Sequence, residues 1–306
     1  MSTDVYAILV IGYSRHDFLE QLLNDLDYIE NSRIFVSVDC DANGKIMPEI
    51  WQMQFHSFSK INWIFQEKKL GIGFHIPHAV NEILKDFQSV VVLEDDCRVA
   101  KEVVISTIEF LARGIPSNCL SIGFMSALPS SRFLEHIVGT NKWRITEYFS
   151  PWGWATTREA WQKYSNVIEN GNLEVELEKS PTWKKKNSFS KKVWLRRFKV
   201  VADLPEFTWD YQMQYATFKH SGYHLMPFLR SVDNIGFNSK TATNTSERKP
   251  KWLQGNASKK KIVGQVPKSK IYNGALQWLD QLTWAGDSLF AFALRRIRLI
   301  LLEKSK

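Results

Sequence analysis

Cysteine is scarce in this sequence, and long apolar runs are absent from it. The 306 residues include only Cys40, Cys97 and Cys119, whose spacing fits no metal-ligand pattern and leaves one thiol over in any pairing. This usage is typical of a reducing compartment, so we expect a cytoplasmic protein. The run Val5–Ile11 is too short to span a bilayer, and the first residues lack the basic start of a signal peptide. We therefore expect neither an integral membrane protein nor a secreted one.

Internal repeats and phosphate-binding glycine loops are also missing. Gly71 and Gly73 do not follow a predicted strand in a Gly-x-Gly-x-x-Gly pattern, and the sequence has no Walker-type lysine loop. These absences argue against a Rossmann dinucleotide site and against a P-loop.

Positive charge is abundant but unevenly distributed. The formal net charge is +8, and the excess of lysine and arginine lies mainly in Lys179–Lys199 and after Arg248. This charge suits an anionic partner such as a nucleotide or a phospholipid surface. We do not expect nucleic-acid binding, because the amino-terminal part of the chain is closer to charge balance.

Apolar β-branched runs alternate with helical patterns in the first part of the chain. This alternation predicts an α/β fold, with a doubly wound, mostly parallel sheet flanked by helices. The predicted strands are Val5–Ile11, Arg33–Val38, Ile61–Phe65, Ser89–Leu93 and Leu120–Phe124. The predicted helices are Asp17–Ile29, Pro77–Phe87, Lys101–Ala112 and part of Phe207–His220. The basic segment Gly171–Lys199 is interpreted as an insertion or a surface helix.

Three polar loops follow predicted strands. They are Gly12–Arg15, Asp39–Asp41 and Glu94–Asp96. Ligands of doubly wound sheets bind beyond the carboxyl ends of the strands. We therefore expect the three loops to converge on one edge of the sheet.

The acidic triplet Glu94-Asp95-Asp96 is the first candidate for chemistry. Hard cations such as Mg²⁺ and Mn²⁺ prefer carboxylate oxygen, and such a cation can neutralise a departing diphosphate. Alternation along a strand puts Glu94 and Asp96 on one side and Asp95 on the other. The alternative is an acidic strand-to-helix turn in which Asp96 helps to cap the next helix.

Side chains near the other strand ends suit a nucleotide. Arg15 has a planar fork that can grip a diphosphate, and Asp39 can accept a hydrogen bond from a base N–H or a ribose hydroxyl. A surface arginine and a turn-forming aspartate are the alternatives. His75 and His78 can also contact a nucleotide.

The loop around Pro151 is a candidate for binding a sugar. Pro151 and Gly153 restrain a loop that presents Trp152 and Trp154, whose flat faces suit the C–H face of a sugar. Packing in the protein core is the alternative for both tryptophans.

The segment Phe207–Tyr211 places one carboxylate, that of Asp210, among aromatic rings. Partial burial raises the pKa of a carboxyl group and makes it a better base for an attacking hydroxyl. The alternative is that Asp210 is a helix N-cap.

In their order along the chain, these segments resemble the N-acetylglucosaminyltransferase I type of GT-A glycosyltransferase and related bacterial sugar transferases. Ile8–Arg15 is similar to that family's first nucleotide-binding segment, and Ser37–Cys40 to its base- and ribose-contacting segment. Val91–Ala100 is similar to its metal-binding stretch, and His75 falls near its uracil-side histidine. The resemblance implies a metal at Asp96 and donor contacts from Gly12, Arg15, Asp39, His75, Glu94 and Asp95.

Two later segments extend the resemblance, which covers roughly Tyr6 to Thr245. Pro151–Trp154 with Trp161 resembles the family's acceptor-side segment, and Phe207–Asp210 resembles the segment that holds its catalytic base. The resemblance implies an inverting, single-displacement transfer from a UDP-sugar, with Asp210 as the base. The implied acceptor-binding residues are Trp152, Gly153, Trp154 and Trp209.

The predicted domain organisation follows from this resemblance. A GT-A catalytic domain is expected at 1–250, with a nucleotide-sugar half at about 1–120 and an acceptor half at about 121–250. A basic extension is expected at 251–306. Its amphipathic basic helix, Ser288–Lys306, either lies on an anionic membrane surface or packs on the catalytic domain.

The predicted function is that of a metal-dependent glycosyltransferase that uses Mn²⁺ or Mg²⁺. We expect a UDP-sugar donor, a glycan or lipid-linked acceptor of a bacterial surface polysaccharide, and a location at the inner face of the cell membrane. One alternative is a nucleotidyltransferase acting on sugar phosphates, although its basic triphosphate loop is represented only by Arg15. The other is a non-enzymatic basic protein that binds membranes or nucleic acids.

Overall fold

The computed structural model of the chain describes residues 6–26, 29, 33–41, 43–58, 61–128, 130–131, 133, 135–136, 141–237, 253, 255–264 and 280–281. These residues form an α/β structure with an eight-stranded sheet and a two-stranded sheet. The strands are β1 (Tyr6–Gly12), β2 (Ile34–Val38), β3 (Ile61–Phe65), β4 (Ser89–Glu94), β5 (Cys97–Val99), β6 (Cys119–Gly123), β7 (Trp143–Thr146), β8 (Trp154–Thr157), β9 (Tyr223–Pro227) and β10 (Val232–Asn234). The helices are α1 (His16–Leu26), α2 (Pro48–Gln54), α3 (Ile72–Asp86), α4 (Lys101–Ala112), α5 (Arg158–Trp161), α6 (Leu173–Glu178), α7 (Pro181–Lys184), α8 (Ser188–Asp203) and α9 (Asp210–Lys219), with a 3₁₀ turn at Asn170–Asn172.

The large sheet is mostly parallel, as the sequence predicted. Its strand order is β3-β2-β1-β4-β8-β6-β9-β7. The pairings of β1 with β2 and β4, of β2 with β3 and of β6 with β9 are parallel, whereas β8 and β7 run antiparallel to their neighbours. The antiparallel strands lie in the half of the sheet formed by the second part of the chain, where the sequence predicted only β6.

The central strands are buried on both faces, which explains their continuous apolar sequence. Along β1, Ile8 and Val10 belong to one hydrophobic cluster, and Ala7, Leu9 and Ile11 belong to the other. The first cluster includes buried residues of α1 and α4, and the second includes those of α3 and α9. Helices therefore cover both faces of the sheet, and the fold is doubly wound.

The boundaries of two helices differ from those predicted. The helix predicted at Pro77–Phe87 begins at Ile72, so that Pro77 lies inside it rather than at its start. The early start brings Gly73 against the chain before α9, where an added Cβ would lie 2.5 Å from the carbonyl oxygens of Pro205 and Glu206. The helix predicted from Asp17 begins one residue earlier, at His16.

The basic segment Gly171–Lys199 is more than a surface helix. It forms α6, α7 and most of α8, and a third hydrophobic cluster unites these helices with α9. Trp183, Trp194 and Phe198 are buried in this cluster, while the lysines lie at its surface or across aromatic rings. The tryptophans of this basic region therefore pack a small core of their own.

Parts of the region after residue 250 contact the rest of the fold. Leu253 and Ile262 are buried in the first cluster. Asp280 accepts a hydrogen bond of 2.7 Å from Arg144 Nη2 and one of 2.9 Å from Thr146 Oγ1. The division at residue 250 stays a prediction, and the predicted helix Ser288–Lys306 lies outside the described residues. None of the described helices has the length and apolar character needed to cross a membrane.

Candidate functional site

A cavity of about 610 Å³ opens at the carboxyl edge of the parallel strands. The three polar loops predicted to converge do so there, and the segment before α9 lines the same cavity. The predicted site residues that line the cavity are Gly12, Arg15, Asp39, His75, Glu94, Asp95, Asp96, Trp152, Trp209 and Asp210.

The strand register explains why the loops meet. Gly12 lies opposite Val38 on β2, and Ile11 lies opposite Glu94 on β4. The carbonyl of Ile11 also accepts the N–H of Asp95 at 3.0 Å, which continues the ladder one residue past β4. Three parallel strands thus end at the same level, and the residue after each end points into one space.

Arg15 pairs with two carboxylates of the acidic triplet. Its Nε donates to Asp95 Oδ2 at 3.3 Å, and its Nη2 donates to Asp95 Oδ1. Its Nη1 donates to Asp96 Oδ2 at 2.9 Å. The expectation that Asp95 and Asp96 lie on opposite sides is wrong, because β4 ends at Glu94 and strand alternation does not continue beyond it. Arg15, which was predicted to bind a diphosphate, is therefore already paired with Asp95 and Asp96.

The acidic triplet brings three carboxyl groups close to the one guanidinium of Arg15. Burial raises the pKa of Glu94 well above its usual range, and the nearby Asp96 and Asp95 raise it further. Burial also raises the pKa of Asp95 to about 6, although Arg15 opposes the change. Burial lowers the pKa of Arg15, but the two aspartates outweigh it, and the net shift is upward. The triplet therefore favours an additional cation.

The triplet fits a divalent metal that arrives with a phosphate ligand. Among the described residues, no group of three or more His, Cys, Asp or Glu side chains is arranged to hold a metal by itself. Mg²⁺, however, is commonly held by one or two carboxylates, with phosphate oxygens and water completing its shell. Glu94 lines the cavity without a hydrogen-bond partner for its side chain among the described residues. Glu94 and Asp96 can supply those one or two ligands.

Asp39 organises the turn before α3. Its Oδ1 accepts the backbone N–H groups of Cys40 and Leu70, each at 2.9 Å, and its Oδ2 accepts that of Gly71 at 2.8 Å. The turn-forming alternative is therefore part of its role, and Asp39 also lines the cavity.

His75 presents a neutral imidazole to the cavity. Burial lowers the pKa of His75 to about 4. Its Nε2 lies 2.8 Å from Ser37 Oγ, which accepts a hydrogen bond from Gln66 Nε2 at 3.1 Å. Which of the two groups donates in the contact between Ser37 and His75 depends on the tautomer of the imidazole. In either tautomer the neutral ring has one nitrogen that donates and one that accepts.

Asp210 lines the same cavity as the loops. It is the first residue of α9, whose cap position is Trp209, so the N-cap alternative is wrong. Burial raises the pKa of Asp210, as expected, while the Thr208 hydroxyl, which donates to Oδ1, lowers it. The result is a half-buried carboxyl group suited to exchange a proton.

The aromatic residues divide into those at the cavity and those in the core. Trp152 lines the cavity and meets Phe237 edge to face at 5.6 Å. Trp209 lines it as well, although its side chain is as buried as that of Trp154, on which it stacks at 5.0 Å. Trp154, at 1% exposure, does not line the cavity, so the core-packing alternative describes its place. 

Gly153 is also absent from the cavity lining among the described residues. Its φ of +65° is one that glycine adopts readily, and an added Cβ would lie 2.8 Å from the Phe124 ring. The geometry assigns Gly153 to the turn that presents Trp152.

Several cavity residues carry no clear signal in the sequence. Asn234 donates to Asp96 Oδ1 at 3.1 Å because β10 pairs with β5 directly after the triplet. Lys69 also lines the cavity. The contact between Asn234 and Asp96 joins residues far apart in the chain, so no local sequence pattern predicts it.

Comparisons with known proteins give a fold-level similarity. No protein-family model and no curated protein matches the chain. GalNAc-T7 with UDP, GalNAc and Mn²⁺ is similar at 8% identity and a TM-score of 0.44, over 76% of this chain and 43% of that chain. The mannosyltransferase PcManGT from Pyrobaculum calidifontis, in complex with GDP-Man and Mn²⁺, is similar at 12% identity and a TM-score of 0.37, over 70% and 69% of the two chains.

A synthase is similar to a comparable degree. It is 4-diphosphocytidyl-2C-methyl-D-erythritol synthase from Anaerococcus prevotii, at 11% identity and a TM-score of 0.34, over 51% of this chain and 71% of that chain. Scores and identities this low assign no substrate or reaction.

Proposed function

We propose that this chain is a metal-assisted, inverting glycosyltransferase of the GT-A kind. The observation that carries the proposal is one cavity lined by two sets of groups. The donor side consists of Gly12–Arg15, Asp39, His75 and Glu94–Asp96, and the acceptor side consists of Trp152, Trp209 and Asp210. Such a cavity can hold a nucleotide diphosphate near the first set and a hydroxyl near the second.

The donor side suits a nucleoside diphosphate. His75 and Asp39 offer a neutral imidazole and a carboxylate in the same cavity, and these groups would contact the base and the ribose. A bound Mg²⁺ or Mn²⁺ would neutralise the charge of the leaving diphosphate. Asp96 and Glu94 would hold that ion, and Arg15 would then exchange part of its pairing with Asp95 and Asp96 for a phosphate oxygen.

The acceptor side suits proton removal from a hydroxyl. The acceptor oxygen attacks the anomeric carbon on the face opposite the diphosphate, and Asp210 takes its proton. As the new C–O bond forms, the bond to the diphosphate breaks, and the nucleoside diphosphate leaves. Trp152 and Trp209 would hold the acceptor sugar by its apolar face.

The proposal also covers the identity of the donor and acceptor and the location of the protein. The resemblance to the N-acetylglucosaminyltransferase I type favours a UDP-sugar as donor. The net charge of +8 favours work near anionic lipid, with a glycan or lipid-linked acceptor of a bacterial surface polysaccharide. Segment 288–306 would then attach the protein to the inner face of the membrane.

A panel of nucleotide sugars tests the proposal. The full chain is incubated with UDP-, GDP- and TDP-sugars, with Mn²⁺, with Mg²⁺ or with a chelator, and release of the nucleoside diphosphate is measured. We expect release from one or a few UDP-sugars that depends on the metal and disappears in Asp96→Asn. The matched control is Glu102→Gln, at an exposed position of α4.

The same panel separates the alternatives. Consumption of a nucleoside triphosphate with a sugar phosphate, and none of any nucleotide sugar, would identify a nucleotidyltransferase instead. Neither binding nor turnover of any nucleotide in the panel would contradict the enzyme proposal and favour a non-enzymatic basic protein.

A further inference from the structure

The last residue of the acidic triplet, Asp96, is tied to a distant segment of the chain. β10 pairs with β5 directly after the triplet, with Asn234 opposite Cys97. One residue farther along, the backbone N–H of Ile235 donates to the Asp96 carbonyl at 2.9 Å. The segment 234–236 therefore fixes the backbone of Asp96 relative to β10.

Asn234 fixes one oxygen of the Asp96 carboxylate. Its Nδ2 donates to Asp96 Oδ1 at 3.1 Å, and its own Oδ1 accepts the backbone N–H of Gly236 at 2.9 Å. Asn234 is buried, and its amide cannot turn without breaking both contacts. Hydrogen bonds of this kind orient the carboxylates that bind metals. Oδ1 is therefore the oxygen of Asp96 that stays in place.

The other oxygen, Oδ2, is held by a side chain that can move. Arg15 Nη1 donates to it at 2.9 Å, while Nε and Nη2 of the same guanidinium donate to Asp95. Arg15 can therefore release Asp96 and remain paired with Asp95. Its side chain extends from the loop between β1 and α1 and lines the cavity, with 17% of its surface exposed.

Gly236 closes another side of this oxygen. A Cβ added at Gly236 would overlap Asp96 Oδ2 and lie 2.9 Å from Arg15 Nη1. The backbone of Gly236 thus packs directly against the contact between Asp96 and Arg15. A ligand of Oδ2 therefore approaches from the cavity, where Arg15 lies.

We propose that Asn234 is a positioning residue for Asp96 and that Arg15 competes with a divalent metal for Asp96 Oδ2. Asn234 holds Oδ1, which leaves Oδ2 as the oxygen that the metal takes. Two cations at the same carboxylate oxygen repel each other, so the metal displaces Arg15 Nη1. This inference rests on the proposed function, because it takes Asp96 as a metal ligand.

The competition couples the metal to the diphosphate. Once displaced from Asp96, Arg15 Nη1 is available to a phosphate oxygen of the donor. The metal therefore binds weakly by itself, and the metal and the diphosphate strengthen each other's binding. Arg15 thus has two opposite effects, since it binds the diphosphate and opposes the metal.

Titration of Mn²⁺ alone tests the competition. Free Mn²⁺ is measured by electron paramagnetic resonance with the full chain and without a nucleotide. We expect Arg15→Gln to bind Mn²⁺ at least about tenfold more tightly than the unaltered chain, since the metal no longer displaces a charge-assisted hydrogen bond. Arg15→Lys should show a smaller gain, because one ammonium group cannot hold both aspartates as the planar fork does. Arg15→Lys decides the test if Arg15→Gln does not fold.

Arg98→Gln is the matched control. Arg98 lies two residues after Asp96 in the chain, but it pairs with Asp25 on α1 at 2.7 Å and is not among the described residues that line the cavity. Its replacement removes the same charge without releasing Asp96, so the affinity for Mn²⁺ should change little. No gain in the Arg15 variants, or an equal gain in Arg98→Gln, would overturn the inference.

Asn234→Ala tests the part assigned to Asn234. Removal of the amide frees Asp96 Oδ1, which gives the metal an oxygen for which Arg15 does not compete. When Asn234→Ala is already present, Arg15→Gln should therefore raise the affinity for Mn²⁺ less than it does in the unaltered chain. A purely structural role of Asn234 would leave that gain unchanged, and this result would contradict the positioning role.

The same titration separates this inference from the proposed function. If Asp96→Asn binds Mn²⁺ as tightly as the unaltered chain, Asp96 is not a metal ligand, and the metal site of the proposed function fails. If Asp96→Asn loses Mn²⁺ binding and Arg15→Gln gains none, only the competition is contradicted.

Discussion

The donor side and the acceptor side of the main cavity are built in different ways. Except for His75, which lies in α3, the donor-side residues lie at or just after the ends of β1, β2 and β4, whose parallel register aligns them. Acceptor-side residues come from connections among antiparallel strands and helices. They are held by stacked rings, among them Trp209 on Trp154 and Phe149 at 5.2 Å from Trp209. Backbone hydrogen bonds thus position the donor side, and side-chain packing positions the acceptor side.

This difference suggests that the two sides of the cavity have different roles. A binding site whose residues are positioned by backbone hydrogen bonds suits a ligand that stays the same among related proteins, such as a nucleotide diphosphate. A binding site whose residues are positioned by side-chain packing changes its shape more readily when the sequence changes, and suits an acceptor that varies. We therefore expect substitutions on the donor side to change nucleotide binding, and those on the acceptor side to change turnover, acceptor choice or stability.

The largest effect is expected for Asp210→Asn. If Asp210 is the base, its loss should lower the turnover number for transfer by about 10²- to 10⁴-fold, the usual contribution of general-base catalysis. Steady-state kinetics with the donor found in the panel would measure it, with the exposed Asp86→Asn as a control. Full turnover in Asp210→Asn would mean that another group takes the proton.

A glycine at the contact between the two sides should also be sensitive. In Gly73→Ala, the added Cβ would lie 2.5 Å from the carbonyl oxygens of Pro205 and Glu206, so the chain leading to Asp210 must shift. Overpacking of this kind costs about 1–3 kcal/mol of unfolding free energy. Urea unfolding should show this loss and no comparable one in Gly171→Ala, whose added Cβ meets nothing within 4 Å. Equal stabilities would contradict the close contact.

The buried His224 under the acceptor side predicts a dependence of stability on pH. Its imidazole lies 2.7 Å from Ser121 Oγ and 2.8 Å from Thr217 Oγ1, and burial lowers its pKa to about 3. The unfolded chain binds a proton below about pH 6.5 and the folded chain does not, so this residue contributes stability that is lost as pH falls.

The loss from His224 should amount to about 1.4 kcal/mol for each pH unit below the ordinary histidine pKa. In His224→Gln the decline of unfolding free energy with falling pH should be shallower by about this amount, and urea unfolding at several pH values measures it. If the unfolding free energies of the unaltered chain and of His224→Gln fall equally with pH, His224 already takes up a proton in the folded state.

A smaller effect is expected for Thr208→Val. The Thr208 hydroxyl donates to Asp210 and lowers the pKa of that carboxyl, so its removal should raise the pKa further. Because the base acts in its ionised form, the acidic limb of the kcat/KM profile should move to higher pH. One hydrogen bond of about 1 kcal/mol corresponds to about a fivefold loss on that limb. Thr208→Ser should restore the profile, and an unchanged profile in Thr208→Val would remove Thr208 from this role.

The donor side was largely predictable from the sequence because its signals are local. The runs Val5–Ile11 and Ser89–Leu93 identify β1 and β4, and the polar residues after them fall at strand ends by position alone. What the sequence could not indicate is the pairing of Arg15 with Asp95 and Asp96, since it joins positions 80 or more residues apart.

The acceptor side was predictable in composition but not in arrangement. The tryptophans at 152, 154 and 209 stand out, yet only packing decides that Trp154 and Trp209 are buried in the core and that Trp152 is partly exposed at the cavity. β5 and β10 have three residues each, too few for a periodic pattern. The order of β7, β8 and β9 depends on long-range pairing, which no local propensity contains.

Titration of UDP in the presence of Mn²⁺ tests the central claim most directly. It compares the unaltered chain with Asp96→Asn on the donor side and Asp210→Asn on the acceptor side. We predict that the unaltered chain and Asp210→Asn bind UDP with similar affinity, and that Asp96→Asn binds it about 10- to 100-fold more weakly, the scale of a damaged metal site. Equal binding by all three proteins, or an equal loss in both variants, would contradict a donor side that binds the nucleotide and an acceptor side that performs the proton transfer.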